Sequence, residues 1–277
     1  MILGRLESSF MSAEGIRTIG KFLISPSSYI FPKYIISRAD PERGIVDEFI
    51  QGIRLARPGD LLLDAGAGNF RFRELLREKG YIYESQDFDQ VFDQDSRGKH
   101  TYVCDIHSIP VEPNRFDVVV CTQVLEHLPD PLTAIQELSR ILKPGGELFL
   151  TTNLLFPIHG APYDFFRFTN FGLEYLCKES GFSKIKIVAR GGFFSFCAKV
   201  IFDLPAIATF WLLYGGANPH GHRDLKIKSL PLVAFLTPAI FLLDIFSTIL
   251  AFLVVQLDGI DRKRRFTLGY QLHATRI

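Results

Sequence analysis

Two closely spaced glycines follow an apolar run and an aspartate within residues 60–70. The three leucines at 61–63 predict a buried strand that ends at Asp64, and Gly66 and Gly68 predict a tight turn that opens a helix. Because glycine lacks a Cβ, a ligand can approach the backbone of such a turn, and the amide groups at the helix start face the same crevice. Asp64 lies at the carboxyl end of its strand, where open α/β sheets bind ligands. The stretch predicts a nucleotide-binding turn.

A carboxylate about 20 residues beyond such glycines is typical of a ligand for ribose hydroxyls. Residues 81–87 predict a second strand, and it ends in Asp87 at this separation. We expect Asp87 to bind a ribose, with Asp89 as the second candidate. The alternative is an aspartate that only caps a loop, but its register with Gly66 favours the ribose ligand.

The elements that must position these residues alternate between helix and strand. A helix is predicted over 40–53, with Asp40 as its cap, and another over 70–79, ended by Gly80. Further helices are predicted over 132–141 and 171–180. Strands are predicted at 60–64, 81–87, 101–105, 115–121, 147–152, 184–188 and 265–274. This alternation predicts an α/β fold with a doubly wound, seven-stranded, mostly parallel sheet and right-handed crossovers.

Composition excludes several classes of protein. The chain of 277 residues has a formal net charge of +1, so we expect no nucleic-acid partner. Its four cysteines, Cys104, Cys121, Cys177 and Cys197, stand singly, which indicates reduced core residues rather than a zinc site or a disulfide framework. Charges are scattered through the first 20 residues, so we expect no secretory signal and a cytoplasmic catalytic part.

Five short motifs stand in a fixed order between about residues 45 and 190. They are Asp64-Ala-Gly-Ala-Gly, Asp87 after the second strand, Asp105-Ile106 after the third, Val124-Leu-Glu-His-Leu, and Leu142-Lys-Pro-Gly-Gly before a strand. As an ordered set they resemble class I S-adenosylmethionine-dependent methyltransferases of the type 11 kind, which have a Rossmann-like fold. Dinucleotide-dependent dehydrogenases use a similar turn, but the Lys-Pro-Gly-Gly turn and the lack of a G-x-G-x-x-G pattern disfavour them. Phe70 departs from the family, which often has a third glycine there.

The resemblance implies S-adenosylmethionine as the cofactor. Asp64 and the two glycines would line its methionine part, Asn69 would contact the same end, and Asp87 would bind the ribose. The implied cofactor-binding residues together are Asp64, Ala65, Gly66, Gly68, Asn69, Asp87, Phe88, Asp105, Ile106, Gln123 and Val124.

The remaining implied contacts concern the adenine and the sulfonium. Asp105 would accept a hydrogen bond from the adenine amino group, and Ile106 would pack on the ring. Gln123 and Val124 would lie near the sulfonium, at the carboxyl end of the fourth strand.

A general base is required only if the methyl acceptor is a hydroxyl group. The candidates for such a catalytic residue are His127, His159, Tyr163 and Asp164. His127 has the alternative of a structural histidine at a helix start. Glu126 and His127 could also bind a metal, but the sequence offers no further ligand cluster, so we expect no metal ion.

The loop at residues 157–169 follows the fifth strand and is expected to lie over the crevice. Its aromatic residues stand beside His159, Asp164 and Arg167, a combination that suits a sugar or another polar ring. Alternatively, the loop is a hydrophobic lid in which Arg167 pairs with Asp164.

Two apolar runs, 193–214 and 230–257, separate the sixth strand from the seventh, and a polar stretch at 218–224 divides them. Each run is long enough to cross a bilayer, but Lys199, Asp203 and Asp244 are costly at its centre. The basic residues at 261–265 would meet anionic lipid headgroups. We favour a helical hairpin that dips into or lies on the inner face of the cell membrane; two full crossings and a soluble homodimer interface are the alternatives.

The domain organisation predicted is an N-terminal helical cap at 1–39, a methyltransferase core at 40–192, an apolar helical insertion at 193–260 and a last core strand at 261–277. The predicted activity is S-adenosylmethionine-dependent methylation of a lipid-linked saccharide or a cell-surface glycan precursor. Methylation of a lipid or an isoprenoid quinone is the second hypothesis. A non-catalytic scaffold recruited to the membrane is the third, and the intact acidic residues Asp64, Asp87 and Asp105 argue against it.

Overall fold

The computed structural model describes residues 27–88, 99–214 and 230–277. Most of the predicted N-terminal cap, the second ribose candidate Asp89 and the polar stretch at 218–224 lie outside these residues.

The described strands form one seven-stranded sheet in the order β3-β2-β1-β4-β5-β7-β6. Their bounds are Leu61–Ala65 (β1), Ile82–Asp87 (β2), Tyr102–Val103 (β3), Phe116–Thr122 (β4), Leu142–Asn153 (β5), Phe182–Arg190 (β6) and Gly269–Arg276 (β7). Strand β7 runs antiparallel to both of its neighbours, and the other pairs are parallel. The prediction of a doubly wound, mostly parallel, seven-stranded sheet is confirmed, including the helical insertion between β6 and β7.

Helices cover both faces of this sheet. They are α3 (Pro41–Gln51), α4 (Arg73–Glu78), α5 (Pro131–Ile141) and α6 (Asn170–Glu179). Neighbouring residues of β1 point to opposite faces, so Leu62 packs in the same core as Ile50 of α3, and Leu63 in the same core as Ile135 of α5. The strands β1 and β4 are buried on both sides, as their continuous apolar sequences predict.

Three predicted boundaries were wrong. Helix α4 begins at Arg73 rather than at residue 70, because Phe70 adopts a left-handed backbone with φ 62° that cannot start a helix. Strand β5 already begins at Leu142, which pairs with Phe116 before the Lys-Pro-Gly-Gly turn. Strand β7 begins at Gly269 rather than at 265, and a Cβ there would lie 2.1 Å from the carbonyl oxygen of Thr152.

The chain divides into two compact units, one of residues 1–44 and 193–263, the other of 45–192 and 264–277. The described elements of the first unit are α1 (Ser27–Ile30), α2 (Lys33–Ala39), α7 (Phe193–Tyr214), α8 (Leu230–Val255) and a 3-10 turn (Gln256–Ile260). Within this unit Ala39, Ala198 and Ala251 form a small core, so the described part of the N-terminal segment packs on the apolar helices.

Among the described residues, one helical segment, Phe235–Ile260, is long and apolar enough to cross a membrane, with a mean hydropathy of 2.4. Length and composition alone support this, since a core helix of a soluble protein can meet the same criteria. Only 28% of its apolar window is buried, however, which is low for a core helix.

Candidate functional site

The turn after β1 has the backbone that its glycines predict. Gly66 and Gly68 have positive φ angles of 71° and 51°. The amide of Gly66 donates to the carbonyl oxygen of Gln86 at 2.9 Å and lies 3.1 Å from the side-chain Oε1 of the same residue. A Cβ on Gly66 would lie 2.3 Å from Val124, whereas one on Gly68 would meet nothing within 4 Å. The turn is therefore fixed by β2 and closed on one side by Val124, and it is open at Gly68.

Asp64 is a buried carboxylate at the end of β1. The hydroxyl of Tyr83 donates a hydrogen bond to its Oδ2 at 2.8 Å. Burial raises the pKa of Asp64 to about 7, against the opposing effect of this hydrogen bond. The nearby Asp87 carboxylate raises the pKa further, while Arg73 lowers it. A cationic group placed here would restore the ionised form.

Asp87 joins the glycine turn to the end of β2. Its Oδ2 accepts from the amide of Gly68 at 2.6 Å, and its Oδ1 accepts from the amide of Phe88 at 2.7 Å. A carboxylate oxygen has a second lone pair, so these bonds leave acceptor capacity for a hydroxyl group. The side chain of Phe88 is exposed beside it, as is that of Asn69 in the turn. Ala65, the last residue of β1, is fully buried.

Asp105 and Ile106 are engaged with other partners. Asp105 accepts from the amide of His107 at 2.9 Å and contacts the Nδ1 of the same ring. Burial acts to raise the pKa of Asp105, but the hydrogen bonds from His107 outweigh it and lower the pKa. Ile106 is buried in the core below the sheet edge. Their predicted contacts with an adenine ring stay predictions.

Gln123 has a strained backbone and an unpaired side-chain acceptor. Its φ is 56°, and its Nε2 donates to the hydroxyl of Thr151 at 2.9 Å. Its buried Oε1 has no hydrogen-bond partner in the described part of the chain. A left-handed glutamine with an unpaired acceptor costs free energy, and such strain is concentrated at ligand sites. Val124, the next residue, lies against Gly66 of the glycine turn. The predicted position of Gln123 and Val124 near a sulfonium stays a prediction.

Phe70, which follows the glycine turn, is held between two side chains. The guanidinium carbon of Arg73 lies 3.5 Å from its ring centroid, and the ring of His100 lies 4.4 Å away. These contacts stabilise a left-handed phenylalanine that would otherwise be strained.

Glu126 is a buried carboxylate beneath the site, and sequence reasoning did not identify its role. The hydroxyl of Thr152 and the amide nitrogen of Asn153 donate to it at 2.8 and 3.0 Å. Nη2 of Arg190 donates to Asn153 Oδ1 at 2.6 Å and to the carbonyl oxygen of Thr152 at 3.1 Å. Burial raises the pKa of Glu126, while Thr152, His127 and Arg190 act in the opposite direction. The signal in the sequence was a single glutamate within an otherwise apolar Val-Leu-Glu-His-Leu segment.

His127 and His159 lie side by side above Glu126. Their ring centroids are 4.6 Å apart, and one ligand atom each of Glu126, His127 and His159 lies within 4.8 Å of the others. Nδ1 of His127 faces the carbonyl oxygen of Tyr163 at 2.5 Å, and Nδ1 of His159 faces that of Pro157 at 3.1 Å. Because a carbonyl only accepts, the Nδ1 of each ring carries a proton.

Two consequences follow for the chemistry of this pair. Burial and the neighbouring His127 lower the pKa of His159, which favours its neutral imidazole. Two imidazoles and one carboxylate could also ligate a divalent ion. The third ligand, His159, is 32 residues from His127 and so was not visible as a cluster in the sequence; the absence of a metal stays a prediction.

Asp164 is held in an ion pair rather than left available for proton transfer. It accepts from the two terminal nitrogens of Arg167 at 2.6 and 2.9 Å and from the amide of His159 at 2.8 Å. The Arg167 bonds lower the pKa of Asp164 to about 2. This geometry disfavours Asp164 as a base and agrees with the alternative that Arg167 locks the loop.

The loop at 157–169 is attached to the segment that carries His127. The amides of Phe165 and Phe166 donate to the carbonyl oxygen of Glu126 at 2.9 and 3.2 Å. The side chains of Tyr163, Phe165 and Phe166 are exposed. The loop thus presents an aromatic surface on a fixed backbone.

Comparisons with known proteins find methyltransferases. A family model described as "Methyltransferase domain" matches residues 63–150. A ubiquinone biosynthesis O-methyltransferase of Coxiella burnetii is 33% identical over 122 residues, with 39% of this chain and 52% of the relative covered. A protein of the same name from Pseudomonas paraeruginosa is 46% identical over 57 residues, with 18% of this chain and 25% of the relative covered. The chain spans about half the length of the first of these curated relatives.

Among solved structures, a SAM dependent methyltransferase from Archaeoglobus fulgidus is similar to this chain with a TM-score of 0.45 and 15% identity. The similarity covers 83% of this chain and 90% of that one.

Glu126, Thr152, Asn153 and Arg190 form one hydrogen-bonded network, which predicts the effect of removing the arginine. The substitution Arg190→Met should lower the free energy of unfolding by about 3 kcal/mol, because it leaves a buried carboxylate without a compensating charge. Adding Glu126→Gln should restore part of this loss, since the amide is neutral. Urea denaturation measures both effects.

The exposed Arg77→Met is the matched control and should change the free energy of unfolding by less than about 0.5 kcal/mol. An Arg190→Met protein as stable as this control would contradict a structural role for the network.

Proposed function

Because residues 63–150 carry a class I, S-adenosylmethionine-dependent methyltransferase domain, we propose that this protein methylates a hydroxyl oxygen on an apolar, lipid-like acceptor. The observation that carries the proposal is the His127–His159 pair near the glycine turn, in which the Nδ1 of each ring faces a backbone carbonyl oxygen. Val124 connects the two, since it packs over Gly66 and its carbonyl oxygen accepts from the amide of His127.

The residues at the end of β1 fit S-adenosylmethionine. The buried Asp64 carboxylate suits the ammonium group of the methionine part, and Gly68 leaves its backbone open to a ligand. Asp87 retains acceptor capacity for ribose hydroxyls. The unpaired Oε1 of Gln123 supplies a partial negative charge, which is favourable beside a sulfonium.

The protein itself has to supply only orientation of the acceptor and removal of a proton. When bound, S-adenosylmethionine supplies an electrophilic methyl group. With the cofactor bound, the chain would orient the acceptor oxygen and take its proton. An oxygen lone pair would form the new O–C bond as the methyl C–S bond breaks, and the electron pair of that bond would leave with the sulfur. His127 Nε2 is the favoured base, because the carbonyl oxygen of Tyr163 holds the ring proton on Nδ1. His159 is the second candidate.

The exposed aromatic surface and the relatives support a phenolic or quinol-type ring as the acceptor. Asp164 and Arg167 largely satisfy each other, so fewer polar groups remain for sugar hydroxyls than the sequence suggested. Tyr163, Phe165 and Phe166 offer faces for a planar ring. The relatives from Coxiella burnetii and Pseudomonas paraeruginosa are named ubiquinone biosynthesis O-methyltransferases. A lipid-linked saccharide, which carries the same hydroxyl chemistry, is the second candidate.

The raised pKa of Asp64 predicts a pH-dependent affinity for the cofactor. Below a pKa of about 7 the carboxyl group is protonated and loses its attraction for the ammonium group, so affinity should rise between pH 6 and pH 7.5. Titration calorimetry with S-adenosylmethionine should give an affinity that increases roughly five- to tenfold over this interval.

Asp64→Asn is the control, and it should bind weakly at both pH values without this dependence. An equal pH dependence in Asp64→Asn would assign the effect to another group. No measurable binding by the unmodified protein would instead favour the non-catalytic scaffold.

The acceptor class and the base can be tested with a methyl-labelled cofactor. Incubation with lipid and glycan extracts, followed by mass analysis, should place the label on the hydroxyl oxygen of an apolar aromatic compound. The substitution His127→Asn should reduce the rate about 100-fold or more, because proton transfer is lost, and leave cofactor affinity unchanged.

His273→Asn is the matched control, since His273 pairs with Glu147 away from this site, and it should keep its rate. Label found in a saccharide would instead support a lipid-linked saccharide as the acceptor. Loss of activity on chelation, reversed by a divalent ion, would replace the base by a metal bound at Glu126, His127 and His159.

A further inference from the structure

Helix α8 carries polar side chains inward and large apolar side chains outward. Asp244, Ser247 and Thr248 are at most 3% exposed, whereas Phe235 and Phe246 are 81% and 63% exposed. The inward carboxylate is satisfied, since Asp244 accepts from the amide of Ser27. A surface helix of a water-soluble protein has the opposite arrangement. The reversed pattern indicates that the outer side of α8 faces an apolar medium.

The exposed apolar residues form one continuous face, which we call the outer stripe. Most of them recur at intervals of three or four residues or of two full turns, as one side of a helix requires, and Leu243 lies next to Leu242 at the edge of this face. The outer stripe consists of Phe235, Leu242, Leu243, Phe246, Ile249, Leu253, Leu257 and Ile260. At about 1.5 Å per residue, it extends over nearly 40 Å.

Positive charge follows directly on the outer stripe. After Asp261, both Arg262 and Lys263 are exposed. Basic residues next to an apolar helix face are complementary to anionic lipid headgroups, which attract each such residue by about 1 kcal/mol. The apolar surface of a protein partner would not be complementary to these positive charges.

We propose that the outer stripe of α8 docks on an anionic lipid bilayer, with the helix lying in the plane of the membrane surface. The apolar side chains enter the boundary between headgroups and acyl chains, and the basic residues after Ile260 contact the headgroups. The proposal rests on α8 and its flanking charges, so it is independent of the proposed methyl transfer.

The charges within this unit favour an in-plane helix over a membrane crossing. Lys199 of α7 lies 3.0 to 3.4 Å from the carboxylates of Asp40, Glu42 and Asp203. Beyond Lys199 the described part of α7 has fifteen residues, 200–214, which is fewer than the roughly 20 needed to cross the hydrocarbon core. The outer stripe, in contrast, extends along α8 past the level of this charge cluster. Ala251 marks that level, because it packs in one core with Ala198, which precedes Lys199 in α7.

Vesicle flotation with the full chain tests the docking. The protein should float with vesicles that contain phosphatidylglycerol, should bind phosphatidylcholine vesicles more weakly, and should be released by alkaline carbonate. The exposed double substitution Phe246→Ser with Leu253→Ser should reduce binding at least about tenfold, because two large apolar side chains are removed from the interface. Arg262→Glu with Lys263→Glu should reduce binding to anionic vesicles to a similar degree, and added salt should do the same to the unmodified protein.

Two matched controls separate these effects from general changes. Leu55→Ser removes an exposed apolar side chain elsewhere, and Lys184→Glu with Lys186→Glu makes the same change of charge on β6. Both should float like the unmodified protein, and circular dichroism should show that every variant is folded.

Three results would overturn the proposal. Protein that stays unbound with both kinds of vesicle would exclude docking. Protein that resists alkaline carbonate would indicate a membrane crossing instead. A dimer that becomes monomeric in Phe246→Ser with Leu253→Ser, in a protein that does not float, would identify the outer stripe as an interface between two copies of the chain.

Discussion

The candidate site depends on one buried carboxylate and the groups that make its burial tolerable. Glu126 lies below the histidine pair, and hydrogen bonds from Thr152 and Asn153 hold it. Arg190, itself fully buried, compensates its charge through Asn153. An ionised carboxylate in such a position is costly unless it is paired and hydrogen-bonded. The ends of β5 and β6 and the start of β7 must therefore meet at one place, which explains why Gly269 passes so close to Thr152 and Arg190.

The sequence predicts the parts of this protein that local rules determine. Apolar runs located β1 and β4, an acid at the end of the strand marked β2, and the order of motifs predicted the methyltransferase fold and S-adenosylmethionine. The predicted boundaries of helices and strands were wrong where tertiary contacts override the local preference of the sequence. Phe70 delays α4 because Arg73 and His100 hold its ring, and His100 is 30 residues away along the chain. No local pattern contains that information.

The same limit applies to the chemistry of the site. His127 and Asp164 were both candidate bases by residue type, and only the fold separates them. Asp164 is paired with Arg167, which is three residues away, whereas His127 is oriented by the carbonyl oxygen of Tyr163 and faces His159. The partnership of Glu126 with Arg190 joins residues 64 positions apart. Such relations arise because parallel strands bring their carboxyl ends together at one sheet edge.

The attachment of the aromatic loop to Glu126 has a consequence for how such a protein can change over evolutionary time. The main-chain oxygen of Glu126 fixes the loop through the amides of Phe165 and Phe166, while the side chain of Glu126 fixes the segment to the sheet. Main-chain bonds do not depend on which side chains the loop carries. The exposed rings of Tyr163, Phe165 and Phe166 can therefore be substituted without loss of the main-chain hydrogen bonds that hold the loop. Substitution of these side chains can change which acceptor fits the loop, while the attachment of the loop to Glu126 stays the same.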